Sequence, residues 1–381
     1  MGDLVGMLSA NAGWLLTIGL IGLMALHIWL FRRDQARIQP LDPSVPSPTL
    51  RAQPKVSVLV AAWNEADHIS AHIAAFQALR YPNKELILCA GGADGTYAIA
   101  TRCAGGASGS GESVIVLEQQ PGEGKQRALR RCYAAASGAI IFLTDADCLL
   151  SDSAFEHTLA PIINDGERVV TGRSHPLTSQ RDRAIVAQHW LKESYVHSRW
   201  DAYTGGILGR NAALTREALD GAGAFAADVP TGTDLHLAKM LLQRGERIRF
   251  AAPSSVETYF QESFARYRRQ QARWLRNQVI WGLRFNARGD ILSGMTPMGI
   301  GIGLIALFVI GLFSPLALAV WGLLLAHMLM NRARYLLIGG QLERYPVGVG
   351  LLLLPLFTLI DVIVWASAAF ELIDSRRRAR W

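Results

Sequence analysis

The strongest constraint on what this chain can fold into is residues 14–31, WLLTIGLIGLMALHIWLF. The run carries no charge and approaches the roughly 20 residues needed to cross a bilayer. In lipid every backbone N–H and C=O must be satisfied within the segment, so the run is a helix. Arg32 and Arg33 follow at once, and Asp3 is the only charged side chain before it. A cleavable signal would carry its positive charges on the other flank and a small-residue cleavage site. The expectation is an uncleaved anchor in a cytoplasmic (inner) membrane, N-terminus outside, with the following domain facing the cytoplasm.

The C-terminal part of the 381 residues is also membrane-like. Residues 298–313, 315–329 and 347–370 are apolar, and Pro315 marks the turn between the first two. Arg332, Arg334 and Arg344 precede the last segment, and Arg376, Arg377, Arg378 and Arg380 follow it. The charge rule places both flanks on the cytoplasmic side. About 24 residues cannot cross twice. Either one C-terminal segment does not span, or the charge rule fails at one flank. Asp361 falls inside the last segment; such a carboxylate marks a functional site or faces a neighbouring helix. Half of all residues are hydrophobic, which excludes a disordered chain. The net charge is +7, and the basic residues gather beside the apolar segments. That fits an anionic lipid surface and argues against nucleic acid. Cys89, Cys103, Cys132 and Cys148 form no C-x-x-C pair and have no histidine at zinc-finger spacing, so they read as reduced cytosolic thiols.

Residues 40–54, PLDPSVPSPTLRAQP, form a Pro/Ser-rich linker. A regular alternation then begins. Residues 56–60, 85–89, 113–117 and 139–143 read as strands, and 69–79, 97–103 and 125–136 as helices. The pattern implies an α/β fold with a mostly parallel sheet covered on both faces. Ligands of such sheets bind at the carboxyl ends of the strands. Polar residues fall there: Asn64 and Glu65 after the first strand, Asp94 after the second, Asp145 and Asp147 after the fourth. No P-loop is present, and Gly91, Gly92 and Gly95 do not make the dinucleotide fingerprint. Residues 105–111, GGASGSG, read as a flexible turn.

Four groups of residues have the chemistry of a site. Asp145-Ala146-Asp147 ends an apolar strand, and on an extended segment the two carboxylates point to one side. They repel unless a cation lies beside them; Mg²⁺ takes one or two carboxylates plus phosphate oxygens. Lys125 opens a helix, where the dipole disfavours it, which fits a nucleotide contact or a plain surface lysine. Asp234 stands just before the periodic run 235–242, as a helix cap or as a general base for an acceptor hydroxyl. Gln270, Arg273 and Trp274 share a helix face in the Arg- and aromatic-rich stretch 259–288. A guanidinium there suits a pyrophosphate and an indole suits a sugar or acceptor; the same composition suits an anionic membrane surface.

In this order the elements resemble a membrane-bound family-2 glycosyltransferase, an inverting enzyme of the GT-A nucleotide-diphospho-sugar transferase fold. PKVSVLVAAWNEADHI is similar to the family's opening strand and Asn-Glu turn, and GGADGT to its nucleotide-binding turn. GEGKQRALRRC resembles the segment with the nucleotide-contacting lysine, and FLTDADC the D-x-D. TGGILGRNAALTREALDGAGAF resembles the acceptor-side loop, TGTDLHLAKMLLQRG the base-bearing helix, and QQARW the Q-x-x-R-W. The match runs over roughly 54–282, and its specificity lies in the order and combination of motifs.

The resemblance implies that Asp94 and Lys125 contact the nucleotide, with Glu65 nearby. It implies that Asp145 and Asp147 hold Mg²⁺ or Mn²⁺ and the diphosphate, that Asp234 is the base, and that Gln270, Arg273 and Trp274 close over donor and acceptor. Ala61, Ala93 and Thr233 depart from the family's usual proline, aspartate and glutamate. The implied reaction is direct displacement from a nucleotide-diphosphate sugar such as UDP-glucose. Q-x-x-R-W occurs in lipid glycosyltransferases of the ceramide-glucosyltransferase kind and in processive polysaccharide synthases. One anterior and about three posterior apolar segments favour a membrane lipid acceptor over a growing, secreted glycan. A non-catalytic scaffold on the same fold is the remaining class. The implied division is 1–35 anchor, 36–53 linker, 54–257 cytosolic catalytic domain, 258–293 amphipathic interfacial helices with the Q-x-x-R-W, and 294–381 C-terminal transmembrane segments.

Overall fold

The computed structural model describes residues 11–38, 45–105 and 113–373. Asp3, the start of the linker, the GGASGSG turn beyond Gly105 and the tail arginines lie outside the described residues. The chain divides into two compact units. One comprises 41–180 and 200–260; the other takes in the N-terminal helix, Arg181–Arg199 and the helices from Gln261 onward.

The first unit is built on a nine-stranded mixed sheet. Its strands are β1 (Val56–Trp63), β2 (Lys84–Gly91), β3 (Ser113–Glu118), β4 (Ile140–Leu143), β5 (Cys148–Leu149), β6 (Val169–Pro176), β7 (Tyr203–Thr204), β8 (Ala212–Thr215) and β9 (Ile248–Thr258). The order is β3-β2-β1-β4-β8-β6-β9-β5, with β7 on β9. The first four strands are parallel, as the alternation with helices predicts. β8 enters antiparallel between β4 and β6, and β6 pairs parallel with β9.

β1 and β2 are buried on both faces, which is why they read as continuous apolar runs. The pleat divides them. Val56, Val58 and Val60 pack with Ile69, Ile73 and Phe76 of the helix Ile69–Ala78 and with Phe155. Leu59, Ile87 and Cys89 face the other way, toward Leu129 and Cys132 of the helix Gly124–Ala135 and Leu237 and Leu241 of Thr233–Gln243.

At the amino ends of these strands sits Glu85, buried and fully engaged. Its carboxylate accepts hydrogen bonds from Ser57 Oγ (2.6 Å), Ser137 N (2.7 Å) and Ser137 Oγ (3.0 Å), and pairs with Lys55 Nζ at 2.7 Å. Ser57 Oγ in turn accepts from Gly138 N at 2.7 Å. Burial opposes ionisation, but Lys55 and the serines outweigh it and bring the Glu85 pKa down to about 2.

The second unit holds four helices long and apolar enough to cross a membrane: Gly13–Gln35, Arg288–Gly311, Pro315–Glu343 and Leu354–Ile373. Large apolar side chains such as Trp14, Phe308 and Phe370 stand exposed on them, a surface that water does not favour and hydrocarbon does. Ala184–His197, Phe264–Arg284 and the short Gly348–Leu352 complete the unit. Ala184–His197 interrupts the catalytic stretch 54–257 in sequence, yet it belongs to this unit. It packs on Pro315–Glu343 so closely that a Cβ added to Gly339 would lie 2.3 Å from the Leu191 carbonyl oxygen.

Polar contacts tie the apolar helices together. His27 Nε2 lies 3.0 Å from His327 Nδ1, and Tyr195 Oη donates to Asp34 at 2.7 Å. The flank arginines behave differently from the charge rule's premise. Arg332 and Arg334 are buried inside the helix Pro315–Glu343 rather than standing at its end. Arg332 pairs with Asp361 and donates to Gln188 at 2.9 Å; Arg334 lies 3.6 Å from Asp34 and donates to Asn331. Asp361 thus faces a neighbouring helix, and of that basic flank only Arg344 stands at a helix terminus.

Candidate active site

The carboxyl ends of β1, β2 and β4 converge, and each contributes acidic residues to the turn that follows it. After β1, Asn64 takes a left-handed conformation (φ 57°). Its Oδ1 accepts from Ala93 N at 2.9 Å, and its N–H donates to Gly91 O. Gly92, at φ +118°, is required opposite it, because a Cβ there would lie 2.2 Å from Asn64 Oδ1. Asp94 locks the same corner. One carboxylate oxygen accepts from Ala66 N (3.0 Å) and the other from Thr96 N (3.0 Å) and Thr96 Oγ1 (2.7 Å). Burial slightly opposes its ionisation, and these bonds hold its pKa below the usual carboxylate range. Asp94 therefore orders the turn; Thr96 Oγ1 also accepts from Glu65 N at 2.7 Å.

The D-x-D differs in local form from the sequence expectation. β4 stops at Leu143, and Asp145-Ala146-Asp147 is a turn rather than an extended segment. Cys148 N donates to Asp145 O at 3.1 Å and closes it. The two carboxylates still repel: burial and then Asp145 push the Asp147 pKa up, opposed by Arg210, His68 and Lys125. Thr258 Oγ1 lies 3.3 Å from Asp147 Oδ1, and Tyr259 N donates to the Asp147 carbonyl.

Lys125, in the first turn of its helix, is bonded to Asp145 Oδ1. Burial works against its ammonium, while Asp145, Asp234 and Asp147 raise its pKa. Its unfavourable place on the helix dipole is thus offset by the D-x-D itself. Asp234 stands exposed in the first turn of Thr233–Gln243, against Gly209. The position before the helix is Gly232, so Asp234 is not the N-cap; its Oδ1 accepts from Leu235 N at 2.9 Å. Glu65 registers the whole field. Burial, then Asp147, Asp145 and Asp94, raise its pKa to about 8.

The first unit therefore brings together Glu65, Asp94, Lys125, Asp145, Asp147 and Asp234. Gln270, Arg273 and Trp274 belong to the other unit, on the helix Phe264–Arg284. Trp274 packs against His189 at 5.6 Å between ring centroids. Gln270 Oε1 is buried without a hydrogen-bond partner, and Arg273 makes neither ion pair nor hydrogen bond among the described residues. Sequence reasoning missed His68 and Arg210. His68 packs against Tyr259 (4.8 Å between ring centroids), and Arg210 sits over Phe260 (5.7 Å); both moderate the charge of Asp147. Their signal was position: His68 follows the Asn-Glu turn, and Arg210 closes the TGGILGR loop.

Such an excess of carboxylates over cations suits a hard divalent ion. No group of three or more protein ligands with coordinating geometry forms among the described residues. Asp145 and Asp147 would accordingly hold an ion whose other positions go to phosphate oxygens and water, the usual arrangement for Mg²⁺ with a nucleotide.

Comparison with known proteins agrees with this architecture. Residues 54–277 match the sequence model of a family described as glycosyltransferase like family 2. The probable glycosyltransferase YdaM of Bacillus subtilis is 25% identical over 293 residues, covering 73% of this chain and 69% of that protein. Glycosyltransferase AglE of Haloferax volcanii is 24% identical over 212 residues, covering 52% of this chain and 64% of that protein. Among solved structures, the mannosyltransferase PcManGT of Pyrobaculum calidifontis, in complex with GDP-Man and Mn²⁺, shares the fold. Its TM-score is 0.57 at 21% identity, covering 95% of this chain and 99% of that one.

Proposed function

From the premise that this chain belongs to glycosyltransferase-like family 2 and is a hexosyltransferase of the GT-A fold, we propose that it moves a hexose from a nucleotide-diphosphate sugar to a membrane lipid. The observation that carries the reading is the pairing of Lys125 with Asp145 inside a carboxylate-rich corner, beside the exposed Asp234. The lipid acceptor is supported by four long apolar helices in the same chain. The catalytic unit faces the cytoplasm, where nucleotide sugars are made.

Asp234 accepts the proton of the acceptor hydroxyl as that oxygen attacks the anomeric carbon. The bond from that carbon to the diphosphate oxygen breaks on the opposite face, so an α-linked donor gives a β-glycoside. Lys125 holds Asp145 in place and adds positive charge where the diphosphate leaves. Asp94 and Gly92 fix the turn against which the nucleotide lies. A divalent metal, when bound by Asp145 and Asp147, would supply further compensation for the diphosphate charge. Gln270 and Arg273 are assigned to donor and acceptor on their unmet hydrogen-bonding capacity, and Trp274 on its place one turn along the same helix.

The test is a partition assay. Detergent-purified full-length protein is incubated with Mn²⁺ or Mg²⁺, a bacterial lipid extract, and labelled UDP-glucose or GDP-mannose in parallel. Label in the organic phase is expected. Label in a water-soluble or insoluble polymer would replace the reading with a polysaccharide synthase.

A further inference from the structure

The helices of the second unit enclose a cavity of about 380 Å³. Its wall is apolar at Met328, Leu336 and Trp365, and polar at Gln188, Lys192, Asn331, Arg332 and Asp361. An accounting of these polar groups decides what it holds. Asp361 is neutralised by Arg332, and Arg332 also donates to Gln188 Oε1 at 2.9 Å. Gln188 Nε2 donates to Gly350 O at 2.9 Å. Asn331 Oδ1 accepts from Arg334 at 2.8 Å, which leaves its NH₂ without a partner among the described residues. Lys192 is half-buried and has neither a carboxylate nor a hydrogen-bond acceptor among the described residues. Gln271 and Thr296 also line the cavity, but its one carboxylate is spent on Arg332, which leaves Lys192 as an uncompensated positive charge.

A lone cation among apolar helices is unfavourable unless an anion joins it. We propose that this cavity binds the phosphate of an anionic phospholipid, with Lys192 and Asn331 donating to the phosphate oxygens and an acyl chain lying along Met328 and Trp365. That the bound lipid is the sugar acceptor rests on the functional reading above; the binding itself does not. The neutral Arg332–Asp361 pair keeps the cavity shaped and polar without adding net charge.

The experiment is equilibrium binding of fluorescent phosphatidylglycerol to the detergent-purified full-length protein. Diacylglycerol of the same chains and inorganic phosphate serve as competitors. Phosphatidylglycerol is expected to bind at least tenfold more tightly than diacylglycerol, and inorganic phosphate is expected not to displace it. Lys192→Met and Met328→Trp should each weaken binding at least tenfold, while Lys192→Arg keeps it. UDP or GDP titration calorimetry, unchanged in the variants, checks that they are folded. Wild-type affinity in Lys192→Met overturns the proposal, as does equal binding of diacylglycerol. Displacement by inorganic phosphate would make the site one for a free anion and overturn the lipid source. If Lys192-dependent binding is found but no sugar reaches any lipid, the functional reading fails and the binding site stands.

Discussion

Glu85 and Glu65 sit at opposite ends of the same pair of strands, and their carboxyl groups differ by about six pKa units, about 2 against about 8. At the amino ends, Glu85 is surrounded by Lys55, Ser57 and Ser137, every one a donor. At the carboxyl ends, Glu65 feels the charges of Asp147, Asp145 and Asp94, which Lys125 offsets only in part. Both are partly or fully buried, so burial alone does not separate them. The difference is whether the fold supplies the counter-charge or leaves it to a ligand. The satisfied end holds strands together; the unsatisfied end is where, on the function proposed above, a metal and a nucleotide diphosphate would complete the charge balance.

The comparison is broken most sharply by Asp234→Asn. Transfer should fall about a thousandfold, the scale of a lost general base. Donor binding by calorimetry should persist, because Asp234 lies outside the Lys125–Asp145 pair. Chelation comes next. EDTA should lower transfer about a hundredfold, and Mn²⁺ or Mg²⁺ should restore it, if the carboxylate excess is there for an ion. At the other end, Glu85→Ala should leave activity per folded molecule intact but destabilise the protein by about 3 kcal/mol, since it strands buried donors. A thermal melt in detergent reads this.

The smallest effects are in pH. Glu65 binds its proton more tightly folded than unfolded, so its contribution is complete below about 4.5 and is lost as pH rises through about 8. The melting temperature of metal-free protein should carry that decline, and Glu65→Gln should flatten it. Glu85 has the opposite sign: its contribution is present above about 4.5 and lost as pH falls toward about 2. Glu85→Gln should remove the acid limb alone.

The parallel strands were legible because burial on both faces leaves a continuous apolar run, as in Val56–Val60. The acidic residues were legible because such sheets place ligands at strand ends. The turn at Asp145–Asp147 was not, because a backbone bond from Cys148 closes it and leaves no side-chain signature. Arg332 and Arg334 misled as a flank because linear sequence shows charge but not the Asp361 and Asp34 that meet it. Ala184–His197 was unmarked because it buries a mixture, Gln188, His189 and Ser194 beside Trp190 and Leu191, with no clean apolar stripe.

That last helix has a consequence in time. A ribosome delivers Leu191 long before Gly339, the residue whose backbone it meets. At about 5–20 residues per second the delay is roughly 7–30 s. Throughout it, a helix with a buried face waits without its partner, while the remaining strands of the sheet are still being made. The seating of Pro315–Glu343 on Ala184–His197 is therefore a late step of biogenesis, with only Gly348–Leu352 and Leu354–Ile373 still to follow among the described helices.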